Sequence, residues 1–293
     1  MKETVLTFRK AREEGRKLAI LTAYDYAVAR WVDACGVDGI LVGDSLGMVC
    51  LGYEDTLRVT MEDMLHHVKA VVRGVSRSLV IADLPFLSYQ VSVAEAVRNA
   101  GRMFQEGGAG AVKLEGGSAI LPQVRSIVAA GMPVMGHLGL TPQSVHQFGG
   151  YKVQGREKAA ALQLAKDALA LQEAGVFSIV LECVPAEIAA FITRKLTIPT
   201  IGIGAGAECG GQVLVIHDML GMGYTADAGA EAGSVPRFVK PYSQVGEQMA
   251  RGIRAYVDEV RAGIFPDSQH AYPGDPRVVE ELEKHFGPGG TNS

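Results

Sequence analysis

Gly39-Ile40-Leu41-Val42-Gly43-Asp44 is a short apolar run closed by a carboxylate, and the same construction recurs along the chain. Asp83 closes Leu79-Val80-Ile81-Ala82, Glu115 closes Ala111-Val112-Lys113-Leu114, and Glu182 closes Phe177-Ser178-Ile179-Val180-Leu181. Runs that are apolar throughout, instead of alternating, suit strands covered on both faces, as in a parallel sheet wrapped by helices. A carboxylate at the end of such a strand is pinned by buried backbone while its head reaches the crevice where these folds bind ligands. Carboxylates repeated in this way are expected on one rim, an enzyme's geometry.

Working outward, strand-like runs occur near residues 18–23, 39–43, 79–82, 110–114, 133–137, 177–182, 199–203 and 212–216. Helical patterns lie between most of them. Thr60 with Asp63, and Ser92 with Glu95, have the spacing of capping boxes. Val93, Ala96, Val97, Ala100, Met103 and Phe104 form an apolar stripe at helical spacing, and the segment from Glu157 to Ala174, ended by Gly175, is the clearest helix. Strand and helix alternating eight times predict a closed (β/α)8 TIM barrel. Only about ten residues, Gly204 to Val213, separate the last two runs, which leaves room for a short turn of helix at most. Thr7 to Gly15 is expected to form an N-terminal helix that plugs the lower barrel mouth. Tyr242 to Ala262 is expected to form a C-terminal helical extension with Val245, Met249, Ile253, Tyr256, Val257 and Val260 on one side. Residues 1–265 are therefore assigned to a single barrel domain and 266–293 to a tail. Mobility is expected in the Gly- and Ala-rich stretch Gly221 to Ser234 and in the tail from Pro273.

Composition sets limits. The chain has 293 residues, 48% of them hydrophobic, enough for a sizeable core and too many for a disordered chain. The formal charge of −4 comes without a basic cluster, so no nucleic-acid partner is expected. No stretch approaches the ~18 apolar residues of a membrane span. Cys35, Cys50, Cys183 and Cys209 fall at unrelated spacings, as in reduced cytoplasmic proteins, and suggest neither a zinc site nor a disulfide framework.

Asp44 and Asp83 suit Mg²⁺, which takes one or two carboxylates and completes its shell with water and substrate oxygens. A lone strand-end Asp equally well caps the next turn; several in one chain favour the metal. The absence of His from these positions makes zinc or iron the poorer choice. Lys113, two residues before Glu115, faces the same side of its strand. It could be a salt-bridged structural lysine, a Schiff-base nucleophile, or a cation that holds a carboxylate or enolate oxygen; the last is favoured. Glu182 is a candidate base whose proton affinity burial among apolar neighbours would raise, or else a member of a rim ion pair. His137 could donate to substrate or be a satisfied structural histidine. His66 and His67 belong to a helix. Gly202, Gly204 and Gly206 lack the spacing of a dinucleotide fingerprint and suit a tight turn, although amides there could cradle an anion.

Six strings are longer and more specific: Gly43-Asp44-Ser45-Leu46-Gly47-Met48, Ala82-Asp83-Leu84-Pro85-Phe86, Lys113-Leu114-Glu115-Gly116-Gly117, Gly136-His137-Leu138-Gly139-Leu140-Thr141-Pro142-Gln143, Gly149-Gly150-Tyr151-Lys152-Val153-Gln154-Gly155-Arg156 and Leu181-Glu182-Cys183-Val184-Pro185. Together they closely resemble the ketopantoate hydroxymethyltransferase family over roughly residues 3 to 270. The resemblance implies transfer of a one-carbon unit from 5,10-methylenetetrahydrofolate to 3-methyl-2-oxobutanoate, giving 2-dehydropantoate, the first committed step towards pantothenate. It implies Mg²⁺ associated with Asp44, Asp83 and Glu115, substrate contacts from Asp44, Ser45, Asp83 and Lys113, and Glu182 as proton acceptor. A cytoplasmic homodecamer is also implied.

Joined to the chemistry above, the resemblance predicts that Mg²⁺ chelates the keto and carboxylate oxygens of the substrate, that Glu182 removes the proton from the branched carbon, and that Lys113 steadies the enolate. Asp55-Thr56-Leu57-Arg58 stands where the family pattern has Ser-Thr-Leu-Pro, Gly221 to Ser234 is longer than the usual connection, and the last twenty or so residues have no expected counterpart. Lys152 and Arg156 are candidates for folate by charge alone. The competing activity is a metal-dependent 2-oxo acid aldolase or lyase without folate, and the competing class is a non-catalytic barrel scaffold.

Overall fold

The eight apolar runs form parallel strands, β1 (Leu18–Thr22), β2 (Gly39–Val42), β3 (Leu79–Asp83), β4 (Ala111–Glu115), β5 (Val134–Gly139), β6 (Ser178–Glu182), β7 (Thr200–Ile203) and β8 (Gly211–Leu214). They close in sequence order, with β1 paired to both β2 and β8. The protein is seen in a computed structural model that describes residues 2–223 and 236–287, so most of the stretch Gly221 to Ser234 lies outside the described residues. Asp83, Glu115 and Glu182 are the last residues of their strands, and Asp44 alone stands beyond its strand end.

Around the sheet run α1 (Val5–Glu14), α2 (Tyr26–Ala34), α3 (Leu46–Val49), α4 (Met61–Gly74), α5 (Val93–Gln105), α6 (Leu121–Ala129), α7 (Val145–Phe148), α8 (Lys158–Glu173), α9 (Ala186–Lys195) and α10 (Ile216–Leu220). Their ends follow the sequence signals. Thr60 and Asp63 exchange both bonds of a capping box at α4. Ser92 accepts from the Glu95 amide at α5, half of such a box. Gly175 leaves α8 at φ +96°, a conformation that suits glycine. Residues 204–210 make turns, so no helix joins β7 to β8; the expected short helical turn is replaced by bends at Gly204 and Gly206, both at positive φ.

Strand alternation sorts the core into two layers. Ile40, Val42, Val80, Ala82, Val112, Leu114, Ile179 and Leu181 face the helices. Leu41, Leu79, Ile81, Ala111, Met135, Val180 and Ile201 fill the barrel, joined by Phe8 and Ala11 of α1. The Phe8 ring meets the Phe177 ring edge-on at 5.5 Å, so α1 closes the N-terminal mouth as expected. Following the inward parity towards the C-terminal mouth, Ile81 gives way to Asp83, Ala111 to Lys113 and Glu115, Met135 to His137, and Val180 to Glu182.

Residues 2–223 and 236–243 form one compact unit, and residues 244–287 belong to a second. The boundary falls at 243, ahead of α11 (Val245–Arg261), where the sequence suggested 265. Met249, Ile253, Tyr256 and Val260 of α11 are exposed. The tail, in which the sequence shows no helix, contains α12 (Pro276–Phe286). Asp275 caps the Arg277 amide and Pro276 occupies the first turn, a start signal that the surrounding Pro and Gly had masked. Among the described residues, no helix is long and apolar enough to cross a membrane.

Candidate active site

Parallel register, more than chain order, assembles the rim. Asp83 of β3 lies beside Lys113 of β4, Glu115 beside His137 of β5, and Gly139 beside Glu182 of β6. Lys113 Nζ stands 2.7 Å from Asp83 Oδ1 and 3.9 Å from Glu115 Oε1. His137 Nδ1 is 3.2 Å from Glu115 Oε1 and its Nε2 is 3.2 Å from Glu182 Oε2. At the inward position of β2 stands Gly43, not a side chain, and a Cβ there would come within 3.2 Å of Asp83 Oδ2 and 3.0 Å of Ser45 Oγ. Glycine thus leaves space for the Asp83 carboxylate, and the chain turns so that the Asp44 amide donates to Asp83 Oδ2 at 3.1 Å.

The structure therefore brings together Asp44, Asp83, Lys113, Glu115, His137 and Glu182. Ser45 adjoins them, its Oγ 2.8 Å from the buried Tyr24 hydroxyl. Each ring nitrogen of His137 faces a carboxylate, so the side chain stands between Glu115 and Glu182. Glu182 is not enclosed by apolar neighbours alone, since His137 faces it and its side chain keeps 15% exposure. Lys152 and Arg156 are exposed, in a loop tied to the rim by a bond from the Gln154 amide to the Cys183 carbonyl. His67 binds the Tyr24 carbonyl at 2.6 Å, in the packing between helix and rim.

Charge is unevenly settled among these groups. Burial, then Asp83 and Glu115, push the Asp44 carboxyl well above the usual carboxylate range. Burial also raises Asp83, against the opposing pull of Lys113. Burial opposes ionisation of Glu115 too, but there His137 and Lys113 prevail and lower it. Burial would discharge Lys113, yet Asp83, Glu115 and Asp44 hold its ammonium above the ordinary value. Burial and Lys113 oppose a charge on His137; Glu115 and Glu182 overcome both and lift its pKa to about 9. Lys113 Nζ also stands 3.1 Å from His137 Nδ1, a nitrogen that can accept from the ammonium only while the ring is neutral.

Two oxygens in this buried cluster, Asp83 Oδ1 and Glu115 Oε1, accept no well-aligned hydrogen bond. Asp83 Oδ1 faces Lys113 and Glu115 Oε1 faces His137, yet three buried carboxyls crowded together, with Asp44 resisting ionisation, fit a missing positive charge. Among the described residues, no three His, Cys, Asp or Glu side chains gather closely enough to form a complete metal cage. The donor set instead suits Mg²⁺, which needs few protein ligands and shares its shell with substrate. A surface hollow of about 300 Å³ lined by Met61, Phe86, Ser88, Asn99 and Arg102 contains none of these acids.

Sequence reasoning missed Gln143 and Tyr89, which lie among the acids. Gln143 donates to Asp44 and Tyr89 bonds Glu115. Neither carries a charge or a periodic signal. Gln143 could have been found only by its place four residues after β5, in a 3-10 turn (Pro142–Ser144) opened by Pro142.

Ketopantoate hydroxymethyltransferase is the family whose profile matches residues 2–268. A 3-methyl-2-oxobutanoate hydroxymethyltransferase of Clostridium novyi is 56% identical over 282 residues, 96% of this chain and 100% of that one. One of Acetivibrio thermocellus is 53% identical, covering 97% of each. The family profile ends at 268 and so leaves the last twenty or so residues outside it, while these two relatives align with 96–97% of the chain. By shape, the chain is similar to phosphonopyruvate hydrolase solved with oxalate and Mg²⁺ (TM-score 0.59, 14% identity, 97% of this chain and 99% of that one). It is also similar to 2,3-dimethylmalate lyase (TM-score 0.57, 16% identity, 99% and 97%). At such identities the likeness is one of fold, the TIM barrel already seen. Near-complete alignment with sequences over half identical carries more: this chain belongs to the ketopantoate hydroxymethyltransferase family.

Proposed function

We propose that the rim binds Mg²⁺ and the oxo acid together, and that Glu182 begins hydroxymethyl transfer from 5,10-methylenetetrahydrofolate by taking a proton from the substrate. The family's activity, formation of 2-dehydropantoate from 3-methyl-2-oxobutanoate, is this chain's activity; the roles of its residues are the proposal. Asp44, Asp83 and Glu115 would hold the cation. Bound there, it would supply Lewis-acid polarisation of the substrate's keto and carboxylate groups.

The chain's own groups divide the remaining work. Lys113, charged and fixed between Asp83 and Glu115, offers a cation to the oxygen on which negative charge develops. Ser45, braced by Tyr24, adds a hydroxyl. Glu182 is the rim acid that keeps partial solvent access, and His137 Nε2, 3.2 Å from its Oε2, holds the side chain in place at the mouth. The carbon left by the proton then bonds to the folate methylene, both methylene C–N bonds break, water provides the hydroxyl oxygen, and the two nitrogens take up the substrate's proton and one from water as tetrahydrofolate leaves. One observation carries this reading: buried acids crowd around a lysine at the barrel's C-terminal mouth, next to a more open glutamate, and the Asp44 carboxyl among them resists ionisation.

Exchange of the substrate's C3 hydrogen in D₂O, followed by NMR without folate, tests it. Mg²⁺-dependent exchange is expected, and Glu182→Gln should slow it by about 10²–10⁴-fold. Exchange at the parent rate in Glu182→Gln, with substrate binding retained, would remove Glu182 from the role of base. Product formation without methylenetetrahydrofolate would favour a 2-oxo acid lyase. The same reading places the enzyme in the cytoplasm as a homodecamer, supported by four unpaired cysteines and by the apolar side chains that α11 exposes.

A further inference from the structure

Gln143 is 6% exposed and bonds groups from four successive segments of the rim. Its Nε2 donates to Asp44 Oδ2 at 2.8 Å and to the Leu84 carbonyl at 3.0 Å. Its Oε1 accepts from the Tyr89 hydroxyl at 2.8 Å and from Gln90 Nε2 at 3.3 Å. Its backbone amide donates to Glu115 Oε2 at 3.0 Å.

The orientation of this amide is chemically determined. A backbone carbonyl only accepts, so the nitrogen must face Leu84, and its second hydrogen then points at Asp44. With both hydrogens committed, Asp44 Oδ2 has to present a lone pair there. One oxygen of Asp44 and one of Glu115 are thereby fixed by a single residue, and Glu115 Oε1 is left without a well-aligned bond. Tyr89 locks the arrangement from behind, since its oxygen also accepts from the Glu115 amide at 3.2 Å and lies 3.0 Å from the Glu115 carbonyl.

We infer that Gln143 is a positioning residue for the cation site: by bonding one oxygen of each it sets the orientation of the Asp44 and Glu115 carboxylates, and Tyr89 holds its amide in the orientation this requires. The inference rests on the proposed metal reading of these carboxylates. Partners of this kind set ligand geometry in metal sites and typically change affinity by about 10–100-fold when removed.

The test is a titration of the full-length protein with Mn²⁺, a paramagnetic substitute for Mg²⁺, with free Mn²⁺ followed by EPR in the absence of substrate. Gln143→Met keeps the length of the side chain and removes its hydrogen bonds. Its Mn²⁺ dissociation constant is expected to rise about 10–100-fold. Activity should recover largely at saturating metal, so that the metal requirement shifts more than kcat. Tyr89→Phe should weaken Mn²⁺ binding several-fold without removing any group that touches the cation. Thermal unfolding of each variant separates this from loss of packing, which would lower the melting temperature and leave the affinity of the folded fraction unchanged. Parent-like Mn²⁺ binding by folded Gln143→Met overturns the inference; if that variant does not fold, parent-like binding by Tyr89→Phe overturns it. A parent protein that binds no Mn²⁺ overturns the metal reading itself, an outcome visible without any variant.

Discussion

Strand β3 has a buried aspartate at each end, and the two are opposites. At its start, Asp33 of α2, 7% exposed, accepts from the Ser76, Arg77 and Ser78 amides and the Ser76 hydroxyl at 2.7–3.2 Å. At its finish, Asp83, 2% exposed, accepts one amide bond from Asp44 at Oδ2 and meets the Lys113 ammonium at Oδ1. Burial opposes ionisation at both. For Asp33 the Ser78 and Ser76 donors outweigh it and hold the carboxyl below the usual range, whereas for Asp83 burial prevails and the carboxyl is raised. Burial of an acid therefore does not mark function. The shortage of donors does, because the folded chain has left charge for something else to neutralise.

The largest effect is expected at the finish of the strand. Lys113→Met removes the cation between Asp83 and Glu115 and should cost about 3–5 kcal/mol in the presence of chelator, as breaking a buried pair does. Added Mg²⁺ should return part of that loss if the same carboxylates bind it. Denaturant unfolding with EDTA and with Mg²⁺ measures both. Parent stability in EDTA would show that the acids were never in need of the lysine, and the contrast between the two ends would fall.

One chemical change should have opposite signs at Asp33 and at Asp44, the rim acid nearest Asp83. Asp33→Asn turns a carboxylate that receives several donors into an amide with one donating end, and is expected to destabilise the fold by about 1–3 kcal/mol. Asp44→Asn keeps an acceptor for Gln143 and removes a charge that Asp83 and Glu115 already repel. It should stabilise the metal-free protein by about 0.5–2 kcal/mol and abolish Mg²⁺-dependent C3 exchange, the trade of stability for activity expected at a functional site. Unfolding curves and the NMR exchange assay, run on the same preparations, decide it. A destabilised Asp44→Asn would mean that its charge is satisfied within the fold.

Much of this was legible in the sequence, and the omissions have physical causes. The strands were visible because burial on both faces leaves no polar alternation, and the acids because they interrupt apolar runs. The inward parity of Lys113 and Glu115 follows from their spacing. The place of Asp44 does not, for Gly43 holds the inward position and the chain must turn before the carboxylate arrives. Closed pairing places His137 next to Glu115, and His137 thereby reaches Glu182; a linear sequence displays no such cross-strand neighbour. Gln143 was invisible because an uncharged amide acquires meaning only from what it bonds. At α11 the apolar spacing correctly signalled a helix but not what its apolar side chains meet.

The smallest effect is a difference in pH slope, at most about 1.4 kcal/mol per pH unit for one group. Asp33 has a depressed folded pKa, so the unfolded chain binds its proton first as acid is added. Its contribution is complete above the unfolded value near 3.9 and is lost as pH falls towards the folded one. Asp44 has a raised folded pKa, so the folded chain holds the proton longer. Its contribution is present in acid and lost as pH rises from about 4 through the folded value. Subtracting the unfolding free energy of each Asn variant from that of the parent, pH by pH in chelator, isolates the two slopes from the other carboxyls. The difference should grow with pH for Asp33 and decline with pH for Asp44. Saturating Mg²⁺ should reverse the Asp44 slope, because a bound cation favours the ionised carboxylate, and leave the Asp33 slope as it was. If Mg²⁺ moves both or neither, the two ends of β3 do not differ in the way their hydrogen bonds indicate.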